Sequence, residues 1–294
     1  MSDALPINLV TTLPATPFRA DDAHKGDCGR ATIIAGSRGM AGAACLCATA
    51  TLRGGAGLVT AAVPAGIVSV VAGFEPSYLT LALPEDSSGR IRSTAMARLN
   101  RALSSQSAVA IGPGLGQSAE LQMLVSELYA NLPLPLVVDA DALNLLAKRP
   151  ESLFRLPGAA PRILTPHPGE FSRLTGLDIA TIQQDRTRHA ISFARQQHVI
   201  VVLKGRETVI TDGDRLAINT TGNSGMATGG TGDVLTGLIT GLLAQEMTPF
   251  DAAQLGAHIH GVAGDLAAEE FSKPGLIASD VLRFVGRAWC ELEV

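Results

Sequence analysis

The residues best equipped for chemistry lie in the run Asn223-Ser-Gly-Met-Ala-Thr-Gly-Gly-Thr-Gly-Asp233, which opens into the apolar stretch Val234–Gln245. A glycine-rich turn that enters a helix aims free backbone N–H groups at one place, and the helix dipole adds positive potential there. Such a nest suits a phosphate, or the charge that builds on a phosphoryl group in transfer. Asp233 falls in the first helical turn, where a carboxylate can take a proton from an attacking hydroxyl. The competing role for Asp233 is a simple helix cap, and the whole Gly230-Thr231-Gly232-Asp233 element weighs against it. No GxxxxGK[ST] loop occurs, and no GxGxxG opens the first βα unit.

Those groups need a frame. Ala31–Ala35, Leu58–Val63, Ala108–Ile111, Leu134–Val138, Arg162–Leu164 and Val199–Leu203 are short apolar runs that read as strands buried on both faces. Helical patterns at Ala41–Leu52, Ser118–Ala130 and Ile182–Gln196 separate them, and the chain reads as helical from Thr231 onward. Thr211-Asp-Gly-Asp214 is a turn signal inside Val209–Ile218 and predicts a hairpin. The βα alternation predicts an α/β fold with a mostly parallel central sheet and helices on both faces. Ligands bind such sheets beyond the C-terminal strand ends. Gly36-Ser37, Gly112–Gly116, Asp139-Ala-Asp141, Thr165–Glu170 and Lys204-Gly205 each follow a predicted strand, so one functional rim is expected. Residues 1–23, rich in Pro and Thr, form an expected arm ahead of one domain over 24–294.

Composition narrows the partners. Hydrophobic residues are 46% of the 294 and charged residues 17%, which supports a large core. Aromatic residues are 4%, net charge is −4, and no basic run appears, so nucleic acid is not an expected partner. Cys28, Cys45, Cys47 and Cys290 form no CxxC pair and read as inert thiols. No secretory signal or apolar run long enough for a membrane span is evident, so a cytoplasmic protein is expected. His258 and His260 sit two apart in a helical stretch, about 200° around the axis, which speaks against one shared metal.

Gly230-Thr-Gly-Asp233 resembles the anion-hole signature of the ribokinase-like superfamily. Within it, His24-Lys-Gly-Asp27, Ala35-Gly-Ser37 with Gly42-Ala-Ala44, Ile111–Gly116, Asp139–Asn144, Thr165–Glu170, Lys204-Gly205 with Thr208, and Gly222-Asn223 are similar to motifs of the NAD(P)H-hydrate dehydratases. The resemblance runs from about residue 24 to 285 with the blocks in family order. It implies a ribokinase-like fold and the ADP- or ATP-dependent dehydration of NADHX and NADPHX, the hydrated reduced cofactors, back to NADH and NADPH. It further implies Asp233 as base, an anion hole at Gly230, Thr231 and Gly232, and nucleotide contacts from Lys204, Gly205, Arg206, Glu207, Thr208 and Gly232. Ala43, Ala44, Gly114, Gly116, His167 and Asp233 are the implied contacts of the hydrate, and Glu170 the residue that organises Mg²⁺ and its waters. A homotetramer is implied, and the epimerase domain that some relatives carry ahead of this one is expected to be absent. The competing functions are an ATP-dependent kinase of a small heterocyclic alcohol, and a non-catalytic nucleotide-binding module. The first has no need of the GPGLG and TPHPGE elements, and the second has no need of a base beside an anion hole.

Overall fold

The apolar runs assemble into a ten-stranded sheet in the computed structural model, which describes residues 7–153 and 158–292. In chain order the elements are β1 (Asn8–Leu9), β2 (Arg30–Ile34), α1 (Ala41–Arg53), β3 (Leu58–Pro64), α2 (Val68–Phe74), β4 (Leu79–Leu83), α3 (Met96–Leu103), β5 (Ala108–Ile111), α4 (Ala119–Asn131), β6 (Leu136–Val138) and α5 (Ala140–Ala147). Then follow β7 (Arg162–Leu164), α6 (Pro168–Thr175), α7 (Ile179–Gln184), α8 (Arg186–Gln197), β8 (Ile200–Leu203), β9 (Thr208–Thr211), β10 (Arg215–Asn219), α9 (Thr231–Ala244), α10 (Pro249–Phe271) and α11 (Ala278–Cys290). The strands lie in the order β1-β10-β9-β8-β7-β6-β5-β2-β3-β4. From β4 to β8 every pair is parallel; β9 runs antiparallel to both β8 and β10. The mostly parallel α/β architecture therefore stands.

All six expected strands are present, with small changes at their ends. The run expected from Leu134 begins pairing at Leu136, because Pro135 has no N–H to give to the ladder. The helix expected over Ile182–Gln196 is two helices. Asp185 interrupts it, and its side chain accepts the amide of Arg188 to cap α8. The hairpin forms as expected: Asp212 accepts from the amides of Asp214 and Arg215, and Leu216 pairs with Thr211. Of the expected arm, β1 adds to the free edge of β10, and the carbonyl of Thr12 accepts from Gln254 on α10; residues 1–6 lie outside the described part. Among the described residues, no helix is long and apolar enough to cross a membrane.

Strand side chains alternate between two apolar layers. Ile33, Ala61, Ala110, Val137, Ile163 and Val202 face one layer, with α1, α9, α10 and α11. Ile34, Ala62, Ile111, Val138, Leu164 and Leu203 face the other, with α3, α4, α5, α6 and α8. Glycine permits the tightest crossing, that of α1 with α9. A Cβ on Gly237 would stand 2.2 Å from the Cys47 carbonyl oxygen, and one on Gly241 2.4 Å from that of Thr51. Backbone meets backbone there, which sets how α9 presents its N-terminus to the rim.

Candidate active site

Five adjacent strands, β8, β7, β6, β5 and β2, end at the same rim, and each is followed by one of the expected loops. The N-terminus of α9 arrives over them. Its cap, Gly230, has φ +93°, a left-handed conformation that suits glycine. The Thr231 hydroxyl donates to the carbonyls of Met226 (2.9 Å) and Thr228 (3.0 Å) and so closes the turn. Asp265 of α10 braces the preceding loop, accepting from the Gly222 amide and the Asn223 side chain at 2.8 and 2.9 Å. As first-turn residues, Thr231, Gly232 and Asp233 have amides with no acceptor inside the helix. Of the residues expected in an anion hole, Thr231 and Gly232 thus offer amides that could meet an anion, joined by that of Asp233, while Gly230 is the helix cap.

Below it sits a compact charge cluster. Asp139, at the end of β6 and 1% exposed, accepts Lys204 Nζ at 2.8 Å and the Thr236 hydroxyl at 2.7 Å. Lys204, at the end of β8, also lies 3.8 Å from Glu170 Oε2, and its Nζ would be 3.2 Å from a Cβ on Gly232. One ammonium thus serves three carboxylates, those of Asp139, Glu170 and Asp233. Burial pushes the Asp233 carboxyl up, Asp139 adds to this, and Lys204 only partly offsets it; the group titrates at about 7. Burial also raises Glu170, against the pull of Lys204. For Lys204, burial works downward, but Asp139 and Glu170 outweigh it and hold the ammonium above its ordinary range. An acid that titrates near neutrality beside free amides is suited to general-base work.

His167 and Glu170 are bound to each other by the start of α6. His167 Nδ1 accepts the amides of Gly169 and Glu170 at 3.0 and 3.3 Å, while Glu170 Oε2 accepts the His167 amide at 2.8 Å, a reciprocal capping box. Burial, then Lys204 and Arg173, lower the His167 pKa, which keeps the imidazole neutral and Nδ1 an acceptor. Its Nε2 lies 3.4 Å from Glu170 Oε1, and the side chain as a whole is half exposed. The Lys204–Thr208 loop is held from beneath by Arg186, which donates to the carbonyls of Leu203 (2.8 Å), Lys204 (3.1 Å) and Arg206. Thr208 closes the loop by donating to the Gly205 carbonyl at 2.9 Å.

A cleft of about 470 Å³ opens beside these groups, lined by Met40, Ala43, Leu46, Gly114, Ala140, Asp141, Asn144, Glu170, Gly230 and Asp233, among others. Of the residues expected to meet the hydrated dinucleotide, Ala43, Gly114 and Asp233 are there. Gly114 packs close to α1, where a Cβ would stand 2.8 Å from the Met40 carbonyl oxygen. Ala44 is not in the cleft and corrects the expectation: one residue further round α1, it is wholly buried in the core under Gly36. Gly116 and His167 flank the cleft without lining it. Arg206 and Glu207 are exposed at the loop's tip. Sequence reading passed over Asp139, Asp141, Arg186 and Thr236 as site residues. Asp139 and Asp141 were visible as a strand-end motif. Asp141 accepts from the Gly116 amide and the Gln117 side chain and so shapes the Gly112–Gly116 loop.

Comparison with known proteins places this geometry. A family model described as NAD(P)H-hydrate dehydratase matches residues 31–285. A bifunctional NAD(P)H-hydrate repair enzyme of Moorella thermoacetica is 46% identical over 270 residues, which are 92% of this chain and 51% of that protein. The chain thus spans about half the length of such relatives. The crystal structure of an ADP/ATP-dependent NAD(P)H-hydrate dehydratase from Bacillus subtilis, co-crystallised with ATP and Mg²⁺, is 33% identical, with a TM-score of 0.79 and 94% of each chain covered. A ribokinase-like superfamily protein from Enterococcus faecalis is 25% identical, with a TM-score of 0.80, covering 94% of this chain and 92% of that one. The ribokinase-like fold expected from the sequence is the fold observed.

Proposed function

We infer the reaction from the premise that the chain belongs to the NAD(P)H-hydrate dehydratase family: it dehydrates NADHX and NADPHX to NADH and NADPH at the expense of ADP or ATP. The observation that carries this reading is Asp233, poised near pH 7 in the cleft beside the open amides of α9. In the reaction, the ring hydroxyl of the hydrate lies against Asp233. The nucleotide runs along Lys204–Thr208, with its terminal phosphate at the amides of Thr231, Gly232 and Asp233. Asp233 takes the hydroxyl proton as the oxygen bonds to phosphorus and the bond to the nucleotide's leaving phosphate breaks. Hydroxide is a poor leaving group and phosphate a good one. The ring nitrogen's lone pair expels phosphate, and loss of a proton from the adjacent ring carbon restores the dihydropyridine. The chain's part is positioning and charge stabilisation, as phosphoryl transfer requires.

Lys204 supports the transfer as a fixed cation. Asp139, itself fixed by the Thr236 hydroxyl, holds it at the end of β8 rather than leaving it to swing. Among the described residues no three His, Cys, Asp or Glu side chains gather as a metal cage. That fits Mg²⁺, which binds through nucleotide phosphates and water with few protein ligands. Glu170, which faces the cleft with its carboxylate held in the α6 cap, would contact the waters of the ion. When bound, Mg²⁺ would neutralise charge on the phosphates. The four cysteines are free, which supports a reducing, cytoplasmic setting, and a homotetramer is the assembly we expect. The test is product analysis with purified chain, NADHX, Mg²⁺ and ADP or ATP. Dehydratase activity releases reduced dinucleotide, phosphate and the shortened nucleotide in equal amounts. A stable phosphorylated alcohol would assign a kinase instead.

A further inference from the structure

The reaction cleft is acidic: Asp141, Glu170 and Asp233 all line it. A hydrated dinucleotide, however, carries a diphosphate, and one of its two forms carries a further phosphate. Those anions need a place away from the carboxylates. Past Asp141 and Asn144 the cleft continues into a second groove of about 450 Å³, lined by Gln117, Asp141, Asn144, Ala147, Lys148 and Arg173. Lys148 and Arg173 come to it from α5's C-terminal end and from α6. Lys148 Nζ donates to Gln117 Oε1 at 2.7 Å, and Arg173 Nη1 donates to Asn144 Oδ1 at 2.9 Å. Among the described residues neither cation forms a salt bridge, although Arg173 acts on Glu170 from further off. The one acid in the groove, Asp141, is engaged with Gly116 and Gln117. Neutral amides therefore steady two cations without cancelling their charge.

We propose that this groove, with Lys148 and Arg173 as its cations, is a phosphate-recognising subsite for the hydrated dinucleotide. It rests on the dehydratase reading above. The ring sits among the carboxylates at Asp233, where its hydroxyl must give up a proton, and a phosphate of the same molecule sits between Lys148 and Arg173. Recognition remote from the reacting atoms lowers KM and leaves the chemical step alone. Lysine and arginine are suited to it, one as a point charge and the other as a planar fork.

The test is the double variant Lys148→Gln/Arg173→Gln, with KM measured for NADHX, NADPHX and ADP. The expected result is a rise of about tenfold in a hydrate KM, with kcat and the ADP KM held within about twofold. An equal rise for both hydrates identifies the diphosphate as the bound group. A rise for NADPHX alone identifies its extra phosphate. Either supports the subsite. Added salt should raise the wild-type hydrate KM and affect the variant less. Unchanged KM for both hydrates, in a chain that turns them over, overturns the subsite and leaves the dehydratase reading intact. If the wild type turns over neither hydrate, the dehydratase reading fails. Calorimetric titration of NAD⁺ and NADP⁺ then decides the subsite separately: weaker binding to the variant supports it, and equal binding overturns it. Arg173→Lys, which keeps the charge, should recover most of the affinity if charge is what the groove supplies.

Discussion

Asp233→Asn keeps the size of the side chain and removes its charge and its basicity. The folded protein holds this carboxyl at about 7, against an ordinary 3.8, chiefly through burial and the neighbouring Asp139. Because the folded pKa is raised, protonation of Asp233 stabilises the fold. That contribution is complete below about pH 4 and is lost as pH rises through 7. Asparagine has nothing to ionise. The stability gap between variant and wild type should therefore widen in the variant's favour by roughly 2–3 kcal/mol between about pH 5 and pH 8. In melting temperature that is on the order of 3–5 °C. Over the same range the variant should lose about 10²- to 10⁴-fold in kcat. The wild-type rate should rise with pH through a limb near 7 that the variant lacks. Thermal denaturation at a series of pH values, beside steady-state rates, measures both. A gap that stays flat from pH 5 to pH 8, or near-normal turnover, would refute the reasoning that a strained, buried base drives the reaction.

Lys204→Ala removes the one cation that, among the described residues, pairs with the buried Asp139, so it should cost about 3 kcal/mol or more in stability. It should also weaken nucleotide binding about ten- to hundredfold, read by denaturation and by calorimetric titration of ADP; unchanged nucleotide affinity would move the nucleotide off that loop. His167→Ala should raise the KM for NADHX more than that for ADP. An equal effect on both would reduce His167 to its helix cap, which is worth about 1 kcal/mol. Gly237→Ala drives a methyl group into the Cys47 carbonyl and should destabilise by about 1–3 kcal/mol or more; a neutral effect on melting temperature would show that α1 and α9 part easily.

The parallel core was legible because its strands are continuous Val- and Ile-rich runs, as in Ile200–Leu203. The edges were not. β4 is largely half-exposed, with only Leu83 buried, and β1 is two residues that need β10 beside them to be a strand at all. Short helices such as α5 and α6 begin inside the motifs, so their loop-like composition hid them. At the site, Asp233 and the α9 turn could be read because the whole element is contiguous in sequence. Asp139 could not be assigned a role that way: its partners Lys204 and Thr236 are 65 and 97 positions distant. Nor could the helical phase that turns Ala43 into the cleft and Ala44 into the core be resolved from two adjacent alanines.

The central claim is that the hydrate is phosphorylated on its own hydroxyl before phosphate leaves. A hydrate carrying heavy oxygen in that hydroxyl tests it most directly, with the released phosphate analysed by mass spectrometry after turnover with ADP. The account predicts the label in inorganic phosphate, one atom for each reduced dinucleotide formed. Label found in water, with unlabelled phosphate, would mean that dehydration and nucleotide cleavage proceed without the phosphorylated intermediate, and would contradict it.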